Sequence, residues 1–328
     1  MVYLSPLDIL SLSVHCITFI LGAPANALAL CVFFKDLWRK PTPNVIYMIN
    51  LGISNSLFII LLPVKIVETA RGEWILPDIF CPIYNIFHFV TTYASILFLT
   101  ALSVGRYLSV AFPIRYKMYR RPRYSCMICF VLWLIVTGHI SFIFLVEANG
   151  QGHLVASGKS NTSICYGNFT RAQLDLLLPL RLELSIVLFL LPLALTSLSY
   201  LGCIRKLGRS RLPQREKQKA LWAAAVTLTM YVTCFAPYNI SHLVGFALRQ
   251  SVPWRREALL LSAASVFLNP LIFFFSSSTL QRATTECWRG AKQRACEVKE
   301  SLPPLWHSKI PQGKDLNGDH AHVPDPVP

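Results

Sequence analysis

The chain of 328 residues is 54% hydrophobic and only 14% charged, well below the quarter or so of charged residues usual in a soluble domain. Its net charge of +15 does not indicate nucleic acid. The cations fall in short polar segments between long apolar runs, as in membrane proteins whose Lys and Arg mark orientation, and no nucleic-acid partner is expected.

A helix crossing the hydrocarbon core needs about 20 apolar residues. Seven runs in chain order meet that length: 7–34, 44–67, 80–110, 124–146, 176–203, 220–248 and 256–275. The first is read as a retained helix and not as a cleavable signal peptide. The expected fold is an all-α membrane protein, a seven-transmembrane helix bundle over 1–276. A membrane-surface amphipathic helix over 277–296 follows, where Cys287 and Cys296 stand as free thiols or as acylation sites. The expected third region, 297–328, is a disordered cytoplasmic tail rich in Pro, Gly, Asp and His.

Lys35, Arg39 and Lys40 follow the first run, Arg115, Lys117, Arg120, Arg121 and Arg123 the third, and a dense set from Arg205 to Lys219 the fifth. The connection after the second run, with Glu68, Arg71, Glu73 and Asp78, is balanced. The N-terminus is therefore expected outside and the C-terminus in the cytoplasm. Asn161-Thr-Ser and Asn168-Phe-Thr are glycosylation sequons in a connection assigned to the outside. A third sequon, at Asn239, falls within the sixth run and is expected to be unreachable. Cys81 and Cys165 lie on the same oxidising side, where a disulfide persists and would pin that loop over the mouth of the bundle. Most of the ten cysteines, among them Cys31, Cys126, Cys129, Cys203 and Cys234, sit in apolar runs and are expected to act as small buried hydrophobes.

Single residues mark several runs. Asn26 lies in the first, Gly105-Arg106-Tyr107 ends the third, Trp133 is in the fourth and Pro192 in the fifth. The sixth carries Cys234-Phe235-Ala236-Pro237-Tyr238, and the seventh Asn269-Pro270-Leu271-Ile272-Phe273. Each on its own run, and together with Cys81 and Cys165, they resemble the rhodopsin-like G-protein-coupled receptors over nearly the whole chain before the tail. The stretches Leu61-Leu62-Pro63-Val64-Lys65-Ile66-Val67-Glu68, Cys165-Tyr166-Gly167-Asn168-Phe169-Thr170, Leu178-Pro179-Leu180-Arg181-Leu182-Glu183 and Pro237-Tyr238-Asn239-Ile240-Ser241-His242 are similar to the free fatty acid receptor family, in its short-chain branch. The resemblance implies a plasma-membrane receptor, not an enzyme. It implies short-chain fatty acids (acetate, propionate, butyrate) as ligands, heterotrimeric G proteins of the Gi and Gq types and arrestin as partners beside membrane lipid, and no cofactor or metal.

The residues point the same way. Arg181, His242 and Arg255 lie near one depth of three neighbouring runs, where cationic side chains are costly and mark function. Two arginines can each grip a carboxylate with a planar fork. His242 donates in either charge state, and Tyr238, one turn inward on the same face, would close the site from below. The resemblance favours Arg255 over Arg256, which is expected to stay at the interface. Arg181 and Glu183, two apart on a helix, are expected to point apart. The resemblance further implies His139, Tyr93, Tyr166 and Phe89 as pocket support, and Arg106, Tyr107, Phe235, Pro237, Tyr200, Asn269 and Pro270 as the activation switch.

Four positions depart from the family pattern. Gly105 replaces the acid beside Arg106, for which raised basal activity is expected. Asn55 replaces the usual acid of the second helix and so removes the anchor of a bound sodium ion. Phe273 replaces a Tyr, and Gly167 a Glu. The rival functions are a receptor for another small anion such as a hydroxy acid, and a ligand-insensitive partner of another receptor. An intramembrane enzyme lacks paired catalytic groups in this sequence, and a transporter would favour repeats and broken helices.

Overall fold

The computed structural model describes residues 4–39, 41–119, 121–149, 155–157, 163–165, 171–210 and 213–301. The first three membrane spans are the single helices α1 (Pro6–Arg39), α2 (Pro43–Arg71) and α3 (Phe80–Ala111). A short α4 (Pro113–Tyr119) leads to the fourth span, α5 (Pro122–Asn149). The fifth span joins α6 (Arg171–Ser185) and α7 (Leu191–Gly208) through a π-helical turn, Ile186–Leu190. The sixth joins α8 (Gln214–Met230) and α9 (Ala236–Leu248) through a second π turn, Tyr231–Phe235. The seventh is α10 (Arg255–Ser276), and α11 (Ser278–Ser301) follows. Seven of these stretches are long and apolar enough to cross a membrane, in agreement with the sequence.

Local chemistry sets the ends. Ser5 and Asp8 cap α1 reciprocally, the Asp8 N–H donating to Ser5 Oγ at 3.2 Å and the Ser5 hydroxyl to Asp8 Oδ2 at 2.7 Å. Thr42 Oγ1 accepts from the Val45 N–H at 3.3 Å, with Pro43 in the first turn of α2. Gly72 ends α2 at φ 70°, donating to the Glu68 carbonyl at 2.9 Å.

The two π turns precede Pro192 and Pro237. A proline offers no N–H to the carbonyl four residues back, and before Pro192 the Leu191 N–H reaches Ile186 instead, five residues back. Bends at both prolines are expected from the sequence; the extra residue in each turn is not.

α3 is the central span, 78% of its most apolar stretch buried against 28% for α5. It packs on α2, α5 and α7, while α10 packs on α1, α8 and α9. Three amides tie the first, second and seventh spans. Asn26 Nδ2 donates to the Gly22 and Val266 carbonyls at 2.9 and 3.0 Å. Asn55 Nδ2 donates to Asn26 Oδ1 at 2.9 Å, and Asn269 Nδ2 to Asn55 Oδ1 at 3.0 Å. Phe273 is fully buried and meets Phe33 edge to face at 5.2 Å, so the ring stands in an apolar setting that a phenol would not improve.

A Cys81–Cys165 disulfide joins the start of α3 to a two-stranded antiparallel hairpin, β1 (Val155–Ser157) and β2 (Ser163–Cys165), which the sequence does not signal. Asn85 Nδ2 lies 3.0 Å from Cys165 Sγ, and Trp74 and Tyr84 pack around the bridge. Asn161, Tyr166, Gly167 and Asn168 lie outside the described residues. Asn239 is buried, its amide donating to the Phe235 carbonyl at 2.9 Å, as expected of an unreachable sequon. Cys129, Cys203 and Cys234 are buried, but Cys31 and Cys126 are exposed on the outer surface of the bundle, contrary to expectation. An all-apolar helix hides which face turns inward, and on a membrane span the outer face is apolar too.

The chain divides into two compact units, 1–283 and 284–328. In the second, α11 continues as helix through Ser301, with Cys287 and Trp288 exposed.

Candidate functional site

The sequence of α6 places Arg181 and Ser185 one turn apart on one face. That face turns toward α9, where the Ser185 hydroxyl donates to the Asn239 carbonyl at 3.2 Å. Arg181 is consequently buried, only 4% exposed. On α9, Tyr238 and His242 are 3% and 2% exposed, their rings edge to face with centroids 4.4 Å apart. Arg255 opens α10 half-buried, and it and Arg181 are both close enough to interact electrostatically with His242. The fifth, sixth and seventh spans thus place one buried and one half-buried guanidinium within electrostatic reach of a buried imidazole, with a phenol one turn deeper. Such a group attracts an anion that can accept several hydrogen bonds at once.

An aromatic wall completes one side. Phe89 of α3 stacks on Tyr238 at 6.0 Å, with Phe144 of α5 at 6.2 Å from Phe89. Tyr93 lies deeper and supports the group indirectly, its hydroxyl donating to Asn239 Oδ1 at 3.2 Å. Ser185 and Phe144, which the sequence does not single out, also shape this region, as does Asn239, noted in the sequence only as an unreachable sequon and in the resemblance.

His139 is placed differently from the rest. Its Nε2 is 2.6 Å from Glu183 Oε2, on the side of α6 away from Arg181. Arg256 is exposed and pairs with Asp8 of α1, which accounts for it without a ligand. A separate pair, Lys65 Nζ to Glu68 Oε2 at 2.8 Å, lies near the C-terminal end of α2, with Glu68 buried and His15 and His88 within electrostatic reach of Lys65.

At the basic end of the bundle, Arg106 Nη1 donates to the Tyr200 hydroxyl at 3.0 Å, linking α3 to α7. Tyr107 packs against α7 because Gly202 leaves room, where a Cβ would lie 2.4 Å from the Tyr107 ring. Between the two ends, Phe235 is fully buried beside Tyr231, centroids 5.9 Å apart, on the π turn before Pro237. Asn269 and Pro270 lie in α10, where Asn269 closes the amide ladder. A Cβ at Gly105 would lie 3.1 Å from Asn44 Oδ1 and 3.7 Å from the Tyr47 ring, so this position faces α2.

The sequence profile of the seven-transmembrane receptors of the rhodopsin family matches residues 25–276. Free fatty acid receptor 3 of Mus musculus is 40% identical over 270 residues, covering 82% of this chain and 83% of that protein. Free fatty acid receptor 2 of Rattus norvegicus is 40% identical over 278 residues, 84% of this chain and 83% of that protein. G-protein coupled receptor 42 of Homo sapiens is 38% identical over 270 residues, 82% and 77% of the respective chains.

Proposed function

Since the chain belongs to the rhodopsin family of seven-transmembrane receptors and, within it, to the free fatty acid receptors, we propose that it senses short-chain fatty acid carboxylates at the plasma membrane and activates heterotrimeric G proteins of the Gi and Gq types. The observation that carries this reading is the convergence of Arg181, His242 and Arg255 from three spans above Tyr238. The carboxylate is gripped by the two guanidiniums and the imidazole, and the short alkyl chain lies against the Phe89–Tyr238 wall. The names of the relatives, receptors for free fatty acids and a G-protein coupled receptor, support ligand class and partner. The basic connections face the cytoplasm and the disulfide end faces outward.

The ligand is small, so affinity is bounded. About five heavy atoms at a ceiling of about −1.5 kcal/mol each give no more than roughly −7 to −8 kcal/mol, which is micromolar at best. Each methylene buried against the aromatic wall adds about 0.8 kcal/mol, or roughly fourfold in potency, until the space is full. The test is G-protein activation by acetate through octanoate, with lactate and 3-hydroxybutyrate alongside. The expected result is a stepwise rise in potency over the shortest members followed by a sharp fall. A response to the hydroxy acids alone would transfer the site to that ligand class.

Signalling is proposed to run through the Arg106–Tyr200 hydrogen bond, which holds α3 and α7 in the arrangement that admits a G-protein helix. A hydrogen bond to a charged group contributes about 1.5–3 kcal/mol, so Tyr200→Phe is expected to cut the active population about tenfold. Nucleotide exchange on a G protein in membranes reads this; unchanged exchange at equal receptor density would refute it. Gly105→Glu restores an acid beside Arg106 and is expected to lower ligand-free signalling. Indistinguishable basal second-messenger levels in the two receptors would count against that expectation.

A further inference from the structure

We infer that Glu183, clamped to His139, is a positioning residue that sets the rotation of α6 and thereby aims Arg181 into the ligand site. This inference rests on the carboxylate-site reading above. Residues two apart on an α-helix differ by about 200° in direction, so holding Glu183 on one side of α6 turns Arg181 to the other. The structure shows both halves of this arrangement. Glu183 Oε2 is 2.6 Å from His139 Nε2 on α5, whereas Arg181 is buried on the face where Ser185 bonds to α9.

Two further observations give the clamp work to do. The π turn Ile186–Leu190 begins immediately after Ser185. One residue more or less in such a turn rotates everything before it by about 100°, so α7 does not by itself dictate the direction in which Arg181 points. Ties to neighbouring spans must. The side chain of Glu183 is 45% exposed and that of His139 24%, on the outer surface of the bundle. A carboxylate on the outside of a membrane span is costly and is expected to have a function. Its short hydrogen bond to an imidazole N–H, in a medium of low dielectric, is a strong and directional one.

The experiment is a double-mutant cycle read as propionate concentration–response in cells, at surface expression matched with an epitope tag. Glu183→Ala and His139→Ala are each expected to raise the EC50 about tenfold with the maximal response retained. The double alanine variant is expected to be no worse than either single one. His139→Glu combined with Glu183→His, which re-forms the pair in reverse, is expected to return the EC50 to within about threefold of wild type. Multiplying effects in the double variant, or a wild-type EC50 in either single one, would overturn the inference, and the alanine cycle decides even where the reversed pair does not reach the surface. Arg181→Ala is the control. If it responds like wild type, the carboxylate-site reading has failed and the positioning role goes with it; if it is silent while the pair variants match wild type, only the positioning role has failed.

Discussion

Arg181→Ala is expected to raise the EC50 for propionate at least ~100-fold, beyond the usable concentration range. Arg181 is only 4% exposed as a residue, so its interaction with a carboxylate is little screened by water. Each charge-assisted hydrogen bond is worth about 1.5–3 kcal/mol, and the planar fork makes two. Against a ligand whose total binding energy is bounded near −7 to −8 kcal/mol, that loss is decisive. Arg181→Lys keeps the charge and loses the fork, and is expected to fall between the two. Concentration–response curves at matched surface density check both. A wild-type curve for the alanine variant would remove Arg181 from the site.

Asn55→Leu is expected to be the most destabilising of the conservative core changes. Asn55 is the middle rung of the amide ladder, donating to Asn26 at 2.9 Å and accepting from Asn269 at 3.0 Å. Leucine fills nearly the same space but strands Asn26 Oδ1 and Asn269 Nδ2. Asn269 Oδ1 already lacks a hydrogen-bond partner among the described residues, so the seventh span would lose its polar tie to the second. Two buried groups left unpaired cost roughly 2–5 kcal/mol, which should lower the Tm of the detergent-solubilised receptor by about 5–10 °C. An unchanged Tm would show that the ladder contributes nothing net. Asn55→Asp places an anionic oxygen at the same point and is expected to make the Tm depend on sodium, a dependence not expected of the neutral ladder of wild type.

The spans were legible because an apolar run of membrane length has few alternatives, and the structure extends them mainly at their ends. α1 runs on to Arg39, five residues beyond the apolar run, because Lys35 to Arg39 continue a helix after hydropathy has fallen. Of the three cationic or donor residues of the proposed site, Arg181 and His242 are polar exceptions within apolar spans, whereas Arg255 stands just before the seventh apolar run beside Arg256 and is singled out only by the resemblance. The partner of Glu183 was not legible. Its spacing from Arg181 says that the two point apart, but which residue of another span meets it depends on packing. The π turns were half legible: Pro192 and Pro237 announce a missing N–H, and whether the helix answers with a bend or an extra residue is settled by its neighbours. Cys31 and Cys126 were misplaced for a related reason, since composition does not say which side of an apolar helix faces lipid.

The most direct test of the account is a comparison of propionate with propionamide, a near-isosteric neutral molecule, on the purified receptor in lipid nanodiscs with a Gi heterotrimer. The proposed site predicts that propionate stimulates nucleotide exchange and that propionamide at the same concentrations does not. Equal stimulation by both, or by neither while the receptor remains folded, would contradict an anion site built from Arg181, His242 and Arg255.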